Sequence, residues 1–456
     1  MNKRKFSILT FCLVLTVFLA GAGAYGQENK SSGGPSRLSD TLTLDQVLAA
    51  VVQNHPSVKE AEEALHAADA RIGIAKSGLY PNVDASANYT RIDPVSSFSF
   101  PIGGKTVEIQ LPTEDNYSAG LNYSQALYDF GKTSRNVAIE KEAKTIASET
   151  VEQVKQKICL AAASCYFTLS YLQKAIDIKD EQLKTLNEHL QSDMKKLATG
   201  SATQYQILTT KVKISGVESQ KTDLENALKV QLTVLNTLLG EPESNVHHVT
   251  HDVIVSVPSI PSDSAVSFAY ANREEIRISR EKETLAQLRL QMTKAQNFPV
   301  LSAFATGGYK NGYIPDLYAL KANFTAGIGI KVPIFDGNRK KYNVAMAQSS
   351  IESAAYETDL TQRNITNEVI QARTNLQSSQ KKVDLFSMQL KQAQQAFDLA
   401  KVSYASGAIT NLDLLDTETA LADSELQLMK AKVDMSASLF QLKNALGLQL
   451  YPDNQK

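Results

Sequence analysis

Residues 320–332 read Leu-Lys-Ala-Asn-Phe-Thr-Ala-Gly-Ile-Gly-Ile-Lys-Val, and this stretch decides the fold of the chain. Every second residue from Ala322 to Val332 is apolar, and the residues between them are polar or glycine. Alternation with a period of two predicts a β-strand, and this one is longer than the average strand of roughly 5 to 6 residues. One apolar face and one polar face are typical of a transmembrane barrel strand. A strand of a soluble sandwich is the alternative that this pattern leaves open.

Three other segments are candidate strands of the same kind. Residues 116–127 alternate in the same way, and residues 82–91 and 300–310 each follow an aromatic–proline pair. Aromatic residues bracket the four strands, as they do at a membrane interface: Tyr80, Tyr128, Phe298 and Phe335. A membrane barrel needs at least about 8 strands, so we expect several chains to complete one barrel. We expect residues 93–115 and 311–319 to be extracellular loops.

The strands belong to an internal duplication. At an offset of 207 residues, identical residues meet: Asp129 and Asp336, Gly200 and Gly407, Thr203 and Thr410, and Gly240 and Gly447. Upstream the offset becomes 218, because the first copy has 11 extra residues between Pro81 and Asp129. Each copy predicts a helix, two strands, a very long helix and a returning helix. We place the first repeat at 43–240, an equatorial linker at 241–262, the second repeat at 263–447 and a C-terminal tail at 448–456.

The long helices are predicted at residues 132–198 and 339–406, which contain neither proline nor glycine. Each would be roughly 100 Å long, far more than a compact soluble domain needs. The second has an apolar seam with alternating spacings of three and four: Val383, Phe386, Leu390, Ala393, Phe397, Ala400 and Tyr404. The first keeps this register but interrupts it at Lys179 and Asp193. After a glycine turn, each copy runs back as a shorter helix, at residues 204–239 and 411–446.

The N-terminus has the pattern of a secretory leader. Lys3, Arg4 and Lys5 precede an apolar run from Phe6 to Ala20, so we expect a signal peptide at residues 1–26 without lipid attachment. Residues 27–42 are rich in Ser, Gly and Pro and are expected to be disordered. The formal charge of −1 becomes about −4 without the leader, which argues against nucleic-acid binding.

Three motifs carry a resemblance to a known family: Val-Pro-Ile-Phe-Asp-Gly at 332–337, Tyr-Ala-Ser-Gly-Ala-Ile-Thr-Asn-Leu-Asp-Leu-Leu-Asp at 404–416, and Asn-Ala-Leu-Gly at 444–447. With the duplication, they resemble the TolC family of outer-membrane efflux proteins over almost all of the chain after the leader. The resemblance implies a mixed α and β membrane fold. In it, a homotrimer forms a twelve-stranded β-barrel, with four strands per chain, that continues into a long periplasmic α-helical barrel.

The same resemblance implies a function. The chain would be the outer-membrane exit duct of a tripartite efflux or secretion system in a Gram-negative bacterium, a passive channel opened by its partners. Those partners would be a periplasmic adaptor, an inner-membrane transporter of the RND or ABC type, and outer-membrane lipid. Neither a cofactor nor an enzymatic activity is implied. We expect no metal site, and we expect the linker histidines His247, His248 and His251 to lie in a solvated loop.

The two glycine turns are candidate docking tips for the adaptor. They comprise Gly200, Ser201, Ala202 and Thr203 in the first copy, and Gly407, Ala408, Ile409 and Thr410 in the second. Glycine allows the chain to reverse, and threonine can cap the returning helix, so a simple turn explains the same residues.

Two aspartates follow the second turn. Asp413 and Asp416 lie three residues apart and therefore share one face of the returning helix. The resemblance implies that they form an acidic ring at the periplasmic entrance, where crowded carboxylates attract cations. A simple interaction with the helix dipole is the alternative.

Tyr404 matches a tyrosine that links neighbouring helices near the tip in the family. The resemblance implies an acidic partner in the first copy and a basic residue in the second, but these positions hold Gln206 and Ile409. We therefore expect a neutral gate contact between Tyr404 and Gln206. A core position in the heptad seam is the alternative for Tyr404.

Two other classes of protein share the long helices. A coiled-coil structural or adhesive surface protein needs no strands that face lipid, and an inner-membrane adaptor lacks two matched pairs of barrel strands. The alternation of residues 320–332 therefore favours the duct. The sequence does not identify the cargo or the class of transporter.

Overall fold

The computed structural model describes residues 41–110, 113–243, 245–250 and 264–452. The expected signal peptide and residues 27–40 lie outside this part of the chain. The helices in it are α1 (Leu44–Asn54), α2 (Pro56–Ser77), α3 (Lys132–Ala198), α4 (Gln204–Leu239), α5 (Ala265–Asn272), α6 (Glu274–Ala295), α7 (Arg339–Ala405) and α8 (Asn411–Ala445). The strands are β1 (Thr41–Leu42), β2 (Asn82–Arg91), β3 (Ser97–Ile102), β4 (Lys105–Gln110), β5 (Asp115–Tyr128), β6 (His248–Val249), β7 (Val300–Lys310) and β8 (Lys321–Lys331).

The predicted long helices are confirmed. Both α3 and α7 have 67 residues, which corresponds to about 100 Å. Each is followed by a glycine with positive φ and by a returning helix of about half its length. The helical segment that begins each copy is broken once. In the first copy His55 separates α1 from α2, which begins at Pro56, and in the second copy Arg273 separates α5 from α6.

The four predicted strands form one antiparallel sheet in the order β2-β5-β7-β8. The two strands of each copy are neighbours, and β5 joins the copies by pairing with β7. Residues paired across neighbouring strands lie on the same face, and Ala119 pairs with Tyr309 while Tyr309 pairs with Ala322. Ala87 of β2 pairs with Ala119 in turn, so the register places most apolar residues of the four strands on one side of the sheet.

The predicted extracellular loop at residues 93–115 is more ordered than the sequence indicated. Strands β3 and β4 form an antiparallel hairpin within it. Gly103 and Gly104 connect them, both with positive φ, as a two-residue hairpin turn requires. The prediction of a plain loop was wrong there. The prolines of this segment indicated a loop, and the alternation of Phe98 and Phe100 with serines was too short to indicate a strand.

The boundary at residue 42 was also wrong. Thr41–Leu42 pairs in parallel with His248–Val249, so the linker and the start of the first repeat form a small sheet. Tyr166 of α3 holds this sheet, because its hydroxyl donates to the backbone oxygen of Leu42 in β1 at 3.1 Å and lies 2.7 Å from Oγ1 of Thr250, the residue after β6.

The linker histidines differ from the expected solvated loop. His247 is buried, and its Nε2 lies 2.7 Å from the Glu241 carboxylate. His248 is exposed in β6, and His251 lies outside the described residues. No cluster of three or more potential metal ligands occurs in the described part of the chain.

The core lies around α3, which packs mainly against α1, α2, α4, α6 and α8. A second apolar cluster joins α5 and α6 to Ile365 and Val369 of α7. Across the described ranges, no helix combines the length and apolarity needed to span a bilayer.

Candidate functional site

The apolar face of the sheet is exposed in the single chain. Phe324, Ile328 and Ile330 of β8 leave 77%, 70% and 63% of their surface uncovered. A soluble sandwich would cover such a face with a second layer, and no second sheet packs on it among the described residues. A face of this kind is suited to contact with lipid.

The opposite face of the sheet carries polar residues and glycines. On it, Asn122 donates from its Nδ2 to Asp84 Oδ2 at 2.9 Å and to Ser86 Oγ at 3.0 Å. Phe304 is an exception, and it lies over Gly327, where a Cβ would come within 2.7 Å of its ring. A sheet with one lipid-type face and one hydrated face can form part of the wall of a water-filled pore.

The two predicted docking tips have the same construction. Gly200 and Gly407 adopt φ of 76° and 80°, a region that residues with a side chain rarely enter. Thr203 and Thr410 then cap the returning helices with complete capping boxes, as predicted. Most tip residues are exposed, whereas Ala202 and Ile409 are half-buried. The tips are therefore capped turns with mostly exposed small or polar residues.

The two aspartates that were predicted to line the entrance, Asp413 and Asp416, have different partners. Asp413 closes the capping box of α8, because its Oδ2 accepts from Thr410 N at 2.9 Å and from Thr410 Oγ1 at 2.6 Å. These hydrogen bonds hold the pKa of Asp413 below its ordinary value. Asp416 is exposed and lies 3.3 Å from Lys213 Nζ of α4. Within one chain, Lys213 therefore offsets part of the predicted acidic charge.

Tyr404 has an acidic partner that the sequence analysis did not identify. Its hydroxyl donates to Asp193 Oδ1 of α3 at 2.8 Å. Burial and this carboxylate raise the pKa of Tyr404. The predicted contact with Gln206 does not form in the single chain, because the Gln206 side chain accepts from Thr203 N at 2.7 Å in the cap of α4.

Asp193 and Tyr404 belong to a larger group that we name the tip cluster: His189, Asp193, Tyr404 and Asn411. His189 Nε2 lies 2.5 Å from Asn411 Oδ1 and 3.1 Å from Asp193 Oδ2. The imidazole ring also packs edge-on against Tyr404 at a centroid distance of 5.1 Å. Asp193 is fully buried, and Asn411 is 4% exposed.

An apolar cluster lies next to the tip cluster along the same helices. It consists of Leu186 of α3, Ile214 and Val217 of α4, and Leu415 of α8. Glu418 of α8 is also buried, and burial raises its pKa to about 7 although Lys213 opposes this shift. Lys179 and Asp193 interrupt the apolar seam of α3, and both side chains are buried. These two interruptions are the feature of the sequence that indicated buried polar groups in this region. No signal identified His189 or Asn411.

Taken together, these features define a class of protein. The sheet continues directly into helices of about 100 Å that end in paired turns, and one exposed face of the sheet is of the lipid type. This is the arrangement of an outer-membrane channel with a long helical extension.

Comparison with known proteins gives the family. The model of the outer membrane efflux protein family matches residues 47–241 and 265–448, so this chain belongs to that family. The outer membrane efflux protein BepC of Brucella suis is 21% identical over 420 residues, which cover 91% of this chain and 87% of BepC. The outer membrane protein TolC of Vibrio cholerae is 21% identical over 414 residues, which cover 89% and 90% of the two chains.

The fold is shared with a solved channel. The crystal structure of the outer membrane protein VceC from Vibrio cholerae aligns with a TM-score of 0.73 at 21% identity, over 89% of this chain and 96% of VceC. The predicted family, mixed α and β channel fold and outer-membrane location are confirmed. The chain is an outer-membrane exit duct, and the coiled-coil surface protein is excluded.

Proposed function

We propose that three copies of the chain form one passive duct, that a periplasmic adaptor docks at the tips, and that an inner-membrane transporter of the RND or ABC type supplies the energy. The observation that supports the trimer most directly is the sheet order β2-β5-β7-β8. It leaves β2 and β8 as edge strands of the described sheet, and an open edge in lipid is costly because its backbone groups lack partners. Pairing β8 of one copy with β2 of the next closes a barrel of twelve strands.

A second apolar stripe on α7 supports the same assembly. Large apolar side chains recur on this helix at heptad-related spacings while remaining exposed: Tyr342, Met346, Tyr356, Leu360, Ile370, Leu385, Met388, Leu399 and Val402. The predicted seam from Val383 to Tyr404 is a different face, which is half-buried or buried within the chain. An exposed stripe of this length suits a neighbouring helix from another copy.

The entrance would lie at the end of the tips. Three copies would bring six carboxylates, from Asp413 and Asp416, around one axis, and such a ring favours cations. Lys213 weakens the contribution of Asp416, so Asp413 would dominate the selectivity. The exposed tip residues Ser201, Gly407 and Ala408 have small side chains or none, so an adaptor can pack closely against the backbone there.

The proposed trimeric duct is tested by measuring the mass of the purified protein and its conductance in a planar bilayer. The protein purified in detergent should have the mass of three chains, and in a planar bilayer it should give single channels with a preference for cations. Asp413→Asn with Asp416→Asn should reduce this preference, while the exposed Asp223→Asn on α4 should leave it unchanged. A monomer that does not conduct would contradict the proposal.

Adaptor docking is tested by cross-linking. A photoreactive residue at position 201 or 408, at the two tips, should capture an adaptor in cells. The same probe at Ser350, which is exposed near the other end of α7, should capture none. Equal capture at all three positions would show that the tips are not the docking site.

A further inference from the structure

The chain has two long helix pairs, α3 with α4 and α7 with α8, which we call the two coils, and the tip cluster fastens them to each other near the tips. His189 and Asp193 lie on α3, Tyr404 is the penultimate residue of α7, and Asn411 is the first residue of α8. Asn411 also reaches α4, because its Nδ2 donates to Thr210 Oγ1 at 3.3 Å and lies 3.5 Å from the Gln206 backbone oxygen. All four helices that meet at the tips are therefore joined through this cluster.

The hydrogen bonds determine which nitrogen of His189 carries a proton. Asn411 uses its Nδ2 toward Thr210, so its Oδ1 is the atom that faces His189 Nε2. Because an oxygen of this kind only accepts, Nε2 must donate. His189 therefore holds the first turn of α8, which carries Asp413 and Asp416, against α3.

Asp193 leaves one oxygen without a donor. Its Oδ1 accepts from Tyr404, but no hydrogen bond from the described residues reaches the buried Oδ2. His189 Nε2 lies 3.1 Å from this oxygen, but its proton is directed to Asn411. A buried carboxylate oxygen without a partner is unfavourable, and a positive charge on the adjacent ring would relieve this.

The other charged groups around the cluster are few. Lys196 of α3 places its Nζ 4.2 Å from the centre of the Tyr404 ring, on α7. On α8, Asp413 is tied to Thr410 and Asp416 to Lys213 of α4, while Thr210 of α4 is neutral. Imidazole is the side chain whose ordinary charge change falls between about pH 5 and 8, and His189 is the imidazole that lies beside the Asp193 carboxylate.

We propose that His189 is a positioning residue of the entrance, which fastens the start of α8 to α3 and α7 and does so more tightly when its ring is protonated. The inference rests on the proposed duct and adds a proton-sensitive control to its opening. At lower pH the imidazolium pairs with Asp193, and the two coils separate less readily. At higher pH the attachment keeps only its neutral hydrogen bonds.

The test compares single-channel currents at pH 5.5 and pH 8.0. The time-averaged conductance of the natural protein should be at least about threefold lower at pH 5.5, since a charged hydrogen-bonded pair is stronger than a neutral one. His189→Gln keeps a donor for Asn411 but cannot gain charge, so the difference should disappear. His66→Gln changes an exposed histidine of α2 and should retain the difference. Glu418→Gln removes another group that titrates near pH 7 and should also retain it.

Hydrogen exchange gives a second readout that does not require conduction. After correction for intrinsic exchange, the amides of residues 411–416 should be better protected at pH 5.5 than at pH 8.0, and only in proteins that keep His189. A pH difference that persists unchanged in His189→Gln, or no difference in the natural protein, would overturn the inference. Loss of conduction in every variant, with the exchange difference intact, would instead count against the duct.

Discussion

The helices α3 and α7 have equal length and matching positions in the two copies, yet they differ in burial. α3 buries large side chains such as Tyr166, Leu169 and Leu186, because four helices beside its own returning helix pack around it. In α7 the described buried side chains are fewer and mostly small, and its apolar stripe is exposed. A heptad pattern therefore predicts a helix, but the topology decides whether its neighbours come from the same chain or from another copy.

The largest expected effect comes from breaking the exposed stripe of α7. Leu360→Glu with Ile370→Glu would place two charges per chain in the proposed contact between copies. Burying an unpaired charge costs several kcal/mol, so the trimer should dissociate or fail to assemble. Light scattering in detergent measures this. The control variant Gln380→Glu with Ser387→Glu changes two residues of the same helix that are not part of the stripe. If this control loses the trimer to the same extent, the stripe is not the contact between copies.

The glycines that follow the two returning helices, Gly240 after α4 and Gly447 after α8, have different surroundings in the two copies. Gly240 and Gly447 both have φ of 72°, but a Cβ on Gly447 would lie 2.8 Å from the Arg273 backbone nitrogen, whereas one on Gly240 meets nothing within 4 Å. Gly447→Ala should lower the free energy of unfolding by about 3 to 4 kcal/mol, and Gly240→Ala by about 1 kcal/mol. Denaturant unfolding of both variants measures the difference, and equal losses would show that the close approach does not matter.

The next largest effect is the change in the free energy of unfolding with pH that Glu418 causes. The direction of this change follows from its pKa, which is raised to about 7. As pH rises from about 4.5 to 7, the carboxyl ionises in the unfolded chain but stays protonated in the folded one. The free energy of unfolding therefore falls by up to about 3 kcal/mol and is level above pH 7.

Glu418→Gln should flatten this pH profile and stabilise the protein at pH 8, as measured by unfolding midpoints from pH 4.5 to 8. Glu142 has a pKa that burial and Glu281 raise to about 7, but it is present in both proteins and cancels in the difference. The exposed Glu218→Gln on α4 is the control. A Glu418→Gln profile parallel to that of the natural protein would contradict the prediction.

The smallest effects are expected at the two caps. Thr203→Ala and Thr410→Ala should each weaken the first turn of the returning helix by about 1 kcal/mol. Thr410→Ala should have the larger effect, because its capping box uses the carboxylate of Asp413 whereas that of Thr203 uses the neutral amide of Gln206. Hydrogen exchange of the Gln206 and Asp413 amides reports this locally, and the reverse order would show that the charge is unimportant.

Local patterns in the sequence predicted most of the fold. The ends of α3, α4 and α7 lie within one residue of the predictions, because glycine turns and threonine caps mark them. The strands β2 and β7 also have their predicted bounds, since an aromatic–proline pair precedes each. The hairpin in residues 93–115 was missed because its strands are short and lie among prolines.

The tip cluster could not be predicted in the same way. The bond between Asp193 and Tyr404 joins residues 211 positions apart in the chain, and that between His189 and Asn411 joins residues 222 positions apart. Such contacts depend on how the two coils pack, which a heptad pattern does not specify. The interruption of the seam at Asp193 indicated a special position but not its partners.

The small parallel sheet of β1 and β6 has a mechanical consequence. Tyr166, in the middle of α3, contacts Leu42 of β1 and Thr250, the residue after β6, so the start of the first repeat and the described part of the linker are attached at one point on this helix. We expect tension applied between the sheet and the tips to pass along α3. A duct that is loaded along its axis would therefore be held at mid-height by contacts within one chain.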